Sequence, residues 1–86
     1  MKLKGNYDIT ESGRYTVIFE DENGEEWEVE FELWIDKEYH YEETGRFLID
    51  VNVQAKCLSP GFSIDEEVEM EISLQEYIYN NFSIQR

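Results

Sequence analysis

The side chains of this 86-residue chain with the widest chemical repertoire are one histidine, one cysteine and 21 carboxylates. Nucleophilic catalysis would need His40 beside Cys57, with an oxyanion hole at the same point. His40 instead falls on the strand face opposite Tyr39 and Tyr41, next to a tight turn and among acids, which is the setting of a solvated histidine. Cys57 reads as a small buried hydrophobe. The five glycines stand apart, so no glycine-rich loop is available to cradle a phosphate. With so many acids, some carboxylate pair falls at almost any separation, and a glycosidase pair carries no information here. Asp21-Glu22-Asn23-Gly24-Glu25-Glu26 offers oxygen ligands but lacks the alternating loop closed by a distant bidentate Glu that calcium requires. Zinc lacks its thiolates and imidazoles. The expectation is a protein that is not an enzyme and carries no cofactor or metal.

Charge is the stronger signal. The net charge is -14, with twelve acids and one base between Glu20 and Glu43 and a second acidic run at Asp65, Glu66, Glu67, Glu69 and Glu71. The bases are scattered at Lys2, Lys4, Arg14, Lys37, Arg46, Lys56 and Arg86, without the clustering that phosphate binding needs. Direct nucleic-acid binding and anionic membrane surfaces are therefore disfavoured. No apolar run approaches a membrane span, and Met1-Lys2-Leu3-Lys4-Gly5 lacks the apolar core of a signal peptide. A lone thiol suits a reducing compartment, so a cytoplasmic location is expected, in the host cytosol if the gene is phage-borne.

The elements that must present these charges follow from period-two alternation. From Glu26 to Ile35, Trp27, Val29, Phe31, Leu33 and Ile35 share one face and Glu26, Glu28, Glu30 and Glu32 the other. Tyr15, Val17 and Phe19 face inward on the strand before it. A two-residue turn between them would set Phe19 against Glu28. A three-residue loop, Glu22-Asn23-Gly24, with Gly24 left-handed, pairs Phe19 with Trp27, Val17 with Val29, Tyr15 with Phe31 and Arg14 with Glu32. The same construction at Glu43-Thr44-Gly45 pairs Tyr41 with Phe47, Tyr39 with Ile49 and Glu42 with Arg46. Phe47, Ile49, Val51 and Val53 would then face inward, and Asp36-Lys37-Glu38 would be the middle turn of a four-strand meander over 15–55.

Pro60-Gly61 ends the meander. Val68, Met70 and Ile72 alternate with Glu67, Glu69 and Glu71 as in another strand with an acidic face. Ser73 with Glu76 reads as a capping box for a short C-terminal helix carrying Leu74, Ile78 and Phe82. Leu3, Tyr7 and Ile9 fit an edge strand with a bulge at Gly5. The reading is a single domain over 1–86, mainly β, an antiparallel meander sheet or small barrel or sandwich with a short C-terminal helix.

Carboxylates on one strand face repeat every ~6.6–6.8 Å, twice the ~3.4 Å phosphate spacing along one DNA strand. Two neighbouring acidic strands, or a homodimer, would approach that density. The expected function is a small acidic inhibitor or nucleic-acid mimic. It would occupy the basic surface of a nuclease or other nucleic-acid-binding effector, as phage anti-defence (anti-CRISPR) or immunity proteins do. Glu28, Glu30, Glu32, Glu69 and Glu71 are the expected partner-binding residues, with Trp34 on the same wet face. The alternative is a structural or assembly module acting through exposed aromatics such as Trp34.

Overall fold

Alternating apolar and polar residues form strands because a pleated chain sends successive side chains to opposite faces. The computed structural model describes residues 1–82, apart from the side chain of Phe47. Four strands, β1 (Lys2–Lys4), β2 (Gly13–Glu20), β3 (Glu26–Glu42) and β4 (Gly45–Cys57), form one antiparallel sheet in the order β1-β2-β3-β4. The sheet curls into a half-barrel, and one helix, α1 (Ile64–Asn81), packs against both edge strands. Arg86 and the inward direction expected for Phe47 lie outside what is described.

The β2–β3 hairpin has the expected register, with Phe19 opposite Trp27, Val17 opposite Val29, Tyr15 opposite Phe31 and Arg14 opposite Glu32. Its loop is organised by Asp21. One carboxylate oxygen accepts the backbone N–H groups of Asn23 and Glu25 at 2.8 and 2.9 Å, and the other accepts the Trp27 indole N–H at 3.0 Å. Gly24, at φ 81°, makes the left-handed step that most side chains avoid.

Three expectations fail. The chain does not turn at Asp36-Lys37-Glu38. That segment has no Gly, Asn or Pro to turn the chain, and Asp36, Lys37 and Glu38 continue the ladder opposite Asn52, Val51 and Asp50, so β3 runs through to Glu42. The β3–β4 hairpin closes with the two-residue loop Glu43-Thr44. Glu42 faces Gly45, Tyr41 faces Arg46 and Tyr39 faces Leu48, in place of the expected Glu42–Arg46, Tyr41–Phe47 and Tyr39–Ile49 pairs. The shorter loop shifts parity by one residue, and a bulge opposite Glu38/Tyr39 shifts it back. Ile49 is the extra residue and stands 44% exposed, while Val51 and Val53 reach the core. Gly45 still has a positive φ of 135°.

The third correction is α1. Its N-cap is Ser63, whose hydroxyl accepts the Glu66 N–H at 3.2 Å while the Glu66 carboxylate accepts the Ser63 N–H at 3.0 Å. The helix therefore starts ten residues before the Ser73–Glu76 pair, and Glu67 to Ile72 are helical, not a strand. Met70, Leu74 and Ile78, spaced by four, are buried, whereas Val68 and Ile72 are exposed. These three close a core with Ile9, Val17, Phe19, Val29, Phe31, Leu33, Ile35, Val51, Val53 and Cys57. Each large side chain buried there is worth roughly 1.5–3 kcal/mol.

At the N-terminus only Lys2–Lys4 is a strand. Beyond it Tyr7 acts as a tie: its hydroxyl donates to the Lys4 carbonyl at 2.7 Å and accepts the Ile18 N–H at 2.9 Å, and its own N–H donates to the Tyr77 hydroxyl at 2.8 Å. Ser12 then caps the free side of β3, its hydroxyl accepting the Ile35 N–H at 2.8 Å.

Candidate interaction surfaces

Nothing in the geometry assembles the two chemically versatile singletons. His40 is on the exposed β3–β4 ribbon, 3.1 Å from the Glu42 carboxylate. Cys57 is buried opposite Phe31, roughly 30 Å back along β3 at ~3.3 Å per residue. Burial pushes the Cys57 thiol above its ordinary value, and the negative charges of Glu67 and Glu71 add to that. Among the described residues no group of three or more His, Cys, Asp or Glu is arranged to hold a metal ion. No helix among them is long and apolar enough to cross a membrane.

The acids fall into two zones. On the outer face of the sheet, opposite the core, Glu26, Glu28 and Glu30 are exposed in a row, with Glu32 half-buried between Arg14 on β2 and Lys56 on β4. Glu28 and Glu30 face the uncharged Ile18 and Thr16, so their charge is left uncompensated by the neighbouring strand. Lys4 lies 3.5 Å from Glu20 at the β1 side. Trp34 is on this face too, 43% exposed, opposite Gln54 and just beyond the end of β2 at Gly13.

Glu69 and Glu71 are elsewhere. Being helical, they lie across the core from Glu28, Glu30 and Glu32, so the five residues do not form one array. Glu71 is committed to the fold, its carboxylate accepting the Cys57 N–H at 2.8 Å. Glu69 lies 2.7 Å from the Met1 ammonium. It also lines a cleft of about 380 Å³ with Met1, Asp21, Glu22, Asn23 and Glu66, where the β2–β3 turn meets the first turns of α1. Asp65, Glu66 and Glu67 occupy that first helical turn, where the helix dipole favours negative charge. Glu25 and Glu26 are exposed beside it. The result is an acidic pole drawn from two distant segments. Hydrogen bonds hold the Asp21 carboxyl below the usual carboxylate range, chiefly the Trp27 indole N–H and then the Glu25 backbone, so it stays ionised.

Sequence reasoning missed Asp21, Glu22 and Glu66 as parts of one surface. The available signal was Ser63-Ile64-Asp65-Glu66, a capping box directly after Pro60-Gly61, which starts the helix early enough to bring its acids to the turn.

The opposite end is different in kind. Past Ser12 and Ile35 no further strand among the described residues lies beside the β3–β4 pair, and this ribbon carries Tyr41, 70% exposed, with Ile49 and the half-exposed Tyr39 and Leu48. The molecule measures 52 × 20 × 18 Å, with the pole and the ribbon at the two ends of β3.

No protein-family model matches the chain, and neither a curated protein nor a solved structure does.

Proposed function

We propose that this chain is a non-enzymatic binding protein, an acidic inhibitor or nucleic-acid mimic that docks on the basic surface of a nuclease or other nucleic-acid-binding partner. The observation that carries the reading is the convergence of Asp21, Glu22, Glu66 and Glu69 on one cleft, continued along the outer sheet face by Glu26, Glu28 and Glu30. Three ion pairs and the His40–Glu42 contact hold acids among the described residues, and Glu22, Glu26, Glu28 and Glu30 are in none of them. Concentrating like charge costs folding free energy through self-repulsion, and a Lys- and Arg-lined groove would relieve that cost while steering encounter. Glu32, flanked by Arg14 and Lys56, and Glu71, bound to the Cys57 amide, contribute less than Glu22, Glu28 and Glu30.

A fluorescent DNA duplex bound to each of a panel of purified basic nucleases and DNA-binding proteins tests this. The protein displaces the duplex from a cognate member at 50 mM salt and loses that ability steeply by 500 mM. A panel in which the duplex stays bound at every salt concentration counts against the reading. The second reading, an assembly module, is favoured by Trp34, whose half-exposed indole has no β2 neighbour. Its contacts would be nearly indifferent to salt.

A further inference from the structure

Strand β4 is the last strand of the sheet, and among the described residues no strand pairs with its outer edge. In an antiparallel pair each residue turns its N–H and C=O to the same side, and successive residues alternate. The Leu58 N–H donates to the Glu30 carbonyl at 2.8 Å, so the even-numbered residues from Asn52 onward bond to β3 while Val51, Val53, Ala55 and Cys57 turn their backbone groups outward. Two of these outward N–H groups are taken, that of Val51 by the Asp50 carboxylate at 2.9 Å and that of Cys57 by Glu71 on α1 at 2.8 Å. Those of Val53 and Ala55 have no partner among the described residues. The free edge is therefore bounded by the bulge at Ile49 and by the Glu71 bond at Cys57. It runs from Asp50 to Lys56, and its midpoint is Val53.

The charges on this edge match those of a second copy in one register. An antiparallel joint forms bonds only where outward-turned residues meet. With Val53 opposite Val53 of the second copy, Val51 meets Ala55, and Asp50 meets Lys56 at both ends of the joint. Centring the joint on Asn52 or Gln54 sets Asp50 against Gln54 or Leu58 and loses both pairs. The helix supplies a second observation. Ile64, Val68, Ile72 and Tyr79 are all exposed and fall within about 80° of one another around α1, at about 100° per residue. Tyr79, with Gln75, Glu76 and Asn80, lines a groove of about 260 Å³ against Val51 and Val53, so this apolar stripe looks over the free edge of β4.

We propose that this edge is a homodimer interface, in which β4 of two copies pair antiparallel about Val53 and join two four-stranded sheets into one. Asp50 gives up the Val51 N–H to the Ala55 carbonyl of the second copy and pairs with its Lys56. The two-fold axis stands perpendicular to the sheet, so both helices lie on the same side and turn their apolar stripes toward each other. The net charge of -14 on each copy opposes association, but β4 itself carries one acid, Asp50, against Arg46 and Lys56. The joint leaves both Glu28–Glu30 rows on one outer face, roughly 14 Å apart at three strand spacings. The dimer does not depend on what those rows bind.

Sedimentation equilibrium of the whole protein from about 5 to 500 µM, at 50 and 500 mM salt, tests this, with amide exchange to locate the joint. A monomer–dimer equilibrium should appear that tightens with salt, opposite to the duplex competition, because screening relieves the repulsion between copies. The Val53 and Ala55 amides should exchange more slowly as concentration rises. Asp50→Lys makes each copy less negative, yet it should weaken the dimer at least about fivefold by setting like charges opposite each other at both ends of the joint. Combining it with Lys56→Glu should restore the dimer. Ala55→Pro, which removes an outward N–H and no bond to β3, should abolish it, and the charge swap decides the matter should that variant not fold. A monomer at every concentration would overturn the dimer and leave the basic-partner reading to duplex displacement. A dimer that survives a folded Ala55→Pro, tightens with Asp50→Lys, or protects amides over 39–46 instead would overturn the β4 joint.

Discussion

The acidic pole and the aromatic ribbon lie at opposite ends of the same strand, β3, and are built in opposite ways. At the pole, charge rests on a well-supported scaffold. Asp21 ties its own loop and Trp27, Trp27 stacks edge-on to Phe62 at 6.1 Å, and the Ser63–Glu66 box fixes the helix start. At the ribbon, apolar surface rests on almost no scaffold, with two strands paired to each other and little beneath them. Rigid charge gives steering and orientation. The difference teaches that burial follows the reach of α1 as well as strand parity: Tyr39 and Tyr41 keep the core-face parity of Val29, Phe31, Leu33 and Ile35 yet lie outside the core.

The largest effect expected from this contrast is on stability. Phe31→Ala or Leu74→Ala removes a fully buried side chain between sheet and helix and should cost about 2–5 kcal/mol, around half of the roughly 4–9 kcal/mol available to a domain of this size. Tyr41→Ala should cost less than about 0.5 kcal/mol. Urea unfolding followed by tryptophan fluorescence compares them, and a large loss from Tyr41→Ala would mean that the ribbon is packed against the body after all.

Next comes the cap. Ser63→Ala should destabilise by about 1 kcal/mol, because the Glu66 N–H loses the hydroxyl that accepts it and only the Glu66 carboxylate half of the box remains. Amide exchange should quicken first over Ile64 to Glu67, loosening the pole while leaving the ribbon unchanged. An effect spread evenly over α1 and the ribbon would erase the distinction between the two ends.

Smaller again is the thiol effect. With burial and neighbouring carboxylates keeping Cys57 protonated, alkylation of the folded protein at pH 8 should run at least about tenfold slower than in urea. Equal rates would mean that the β4 end is open.

The smallest effect is the titration of Asp21. Its folded-state pKa lies below the unfolded value, so its contribution to stability is complete above the ordinary carboxylate range near 3.9 and is lost as pH falls through the folded value. The Trp27 indole N–H resonance should therefore shift with an inflection below about 3.9. An inflection above it would show that the repulsion of the surrounding acids outweighs the hydrogen bonds of the loop.

The β2–β3 hairpin was legible because parity leaves one loop length that keeps Phe19 and Val17 off Glu28 and Glu30. Where parity could be restored by a bulge, as at Ile49, two solutions exist and the sequence pattern does not choose between them. Helix α1 was misread over Glu67 to Ile72 because Glu alternating with Val, Met and Ile satisfies period two locally. The four-residue spacing of Met70, Leu74 and Ile78 shows only over a longer window, and Glu favours helix. The site suffered in consequence. Glu28 and Glu30 stand where alternation puts them, whereas Glu69 belongs to a surface that only the helix start creates, and Trp27, expected inside, is 44% exposed at the rim of the pole.

The acidic pole is tested most directly by the salt dependence of duplex displacement from a cognate basic protein, comparing wild type with Glu22→Lys/Glu28→Lys/Glu30→Lys and with Trp34→Ala between 50 and 500 mM salt. All three reversed residues are exposed and point away from the core, so the fold should survive, as circular dichroism would verify. The triple reversal should abolish displacement and flatten the salt slope, while Trp34→Ala changes affinity by less than about threefold. Normal displacement by the triple reversal, together with loss on Trp34→Ala, would contradict the charge-led reading and leave the molecule an aromatic assembly module.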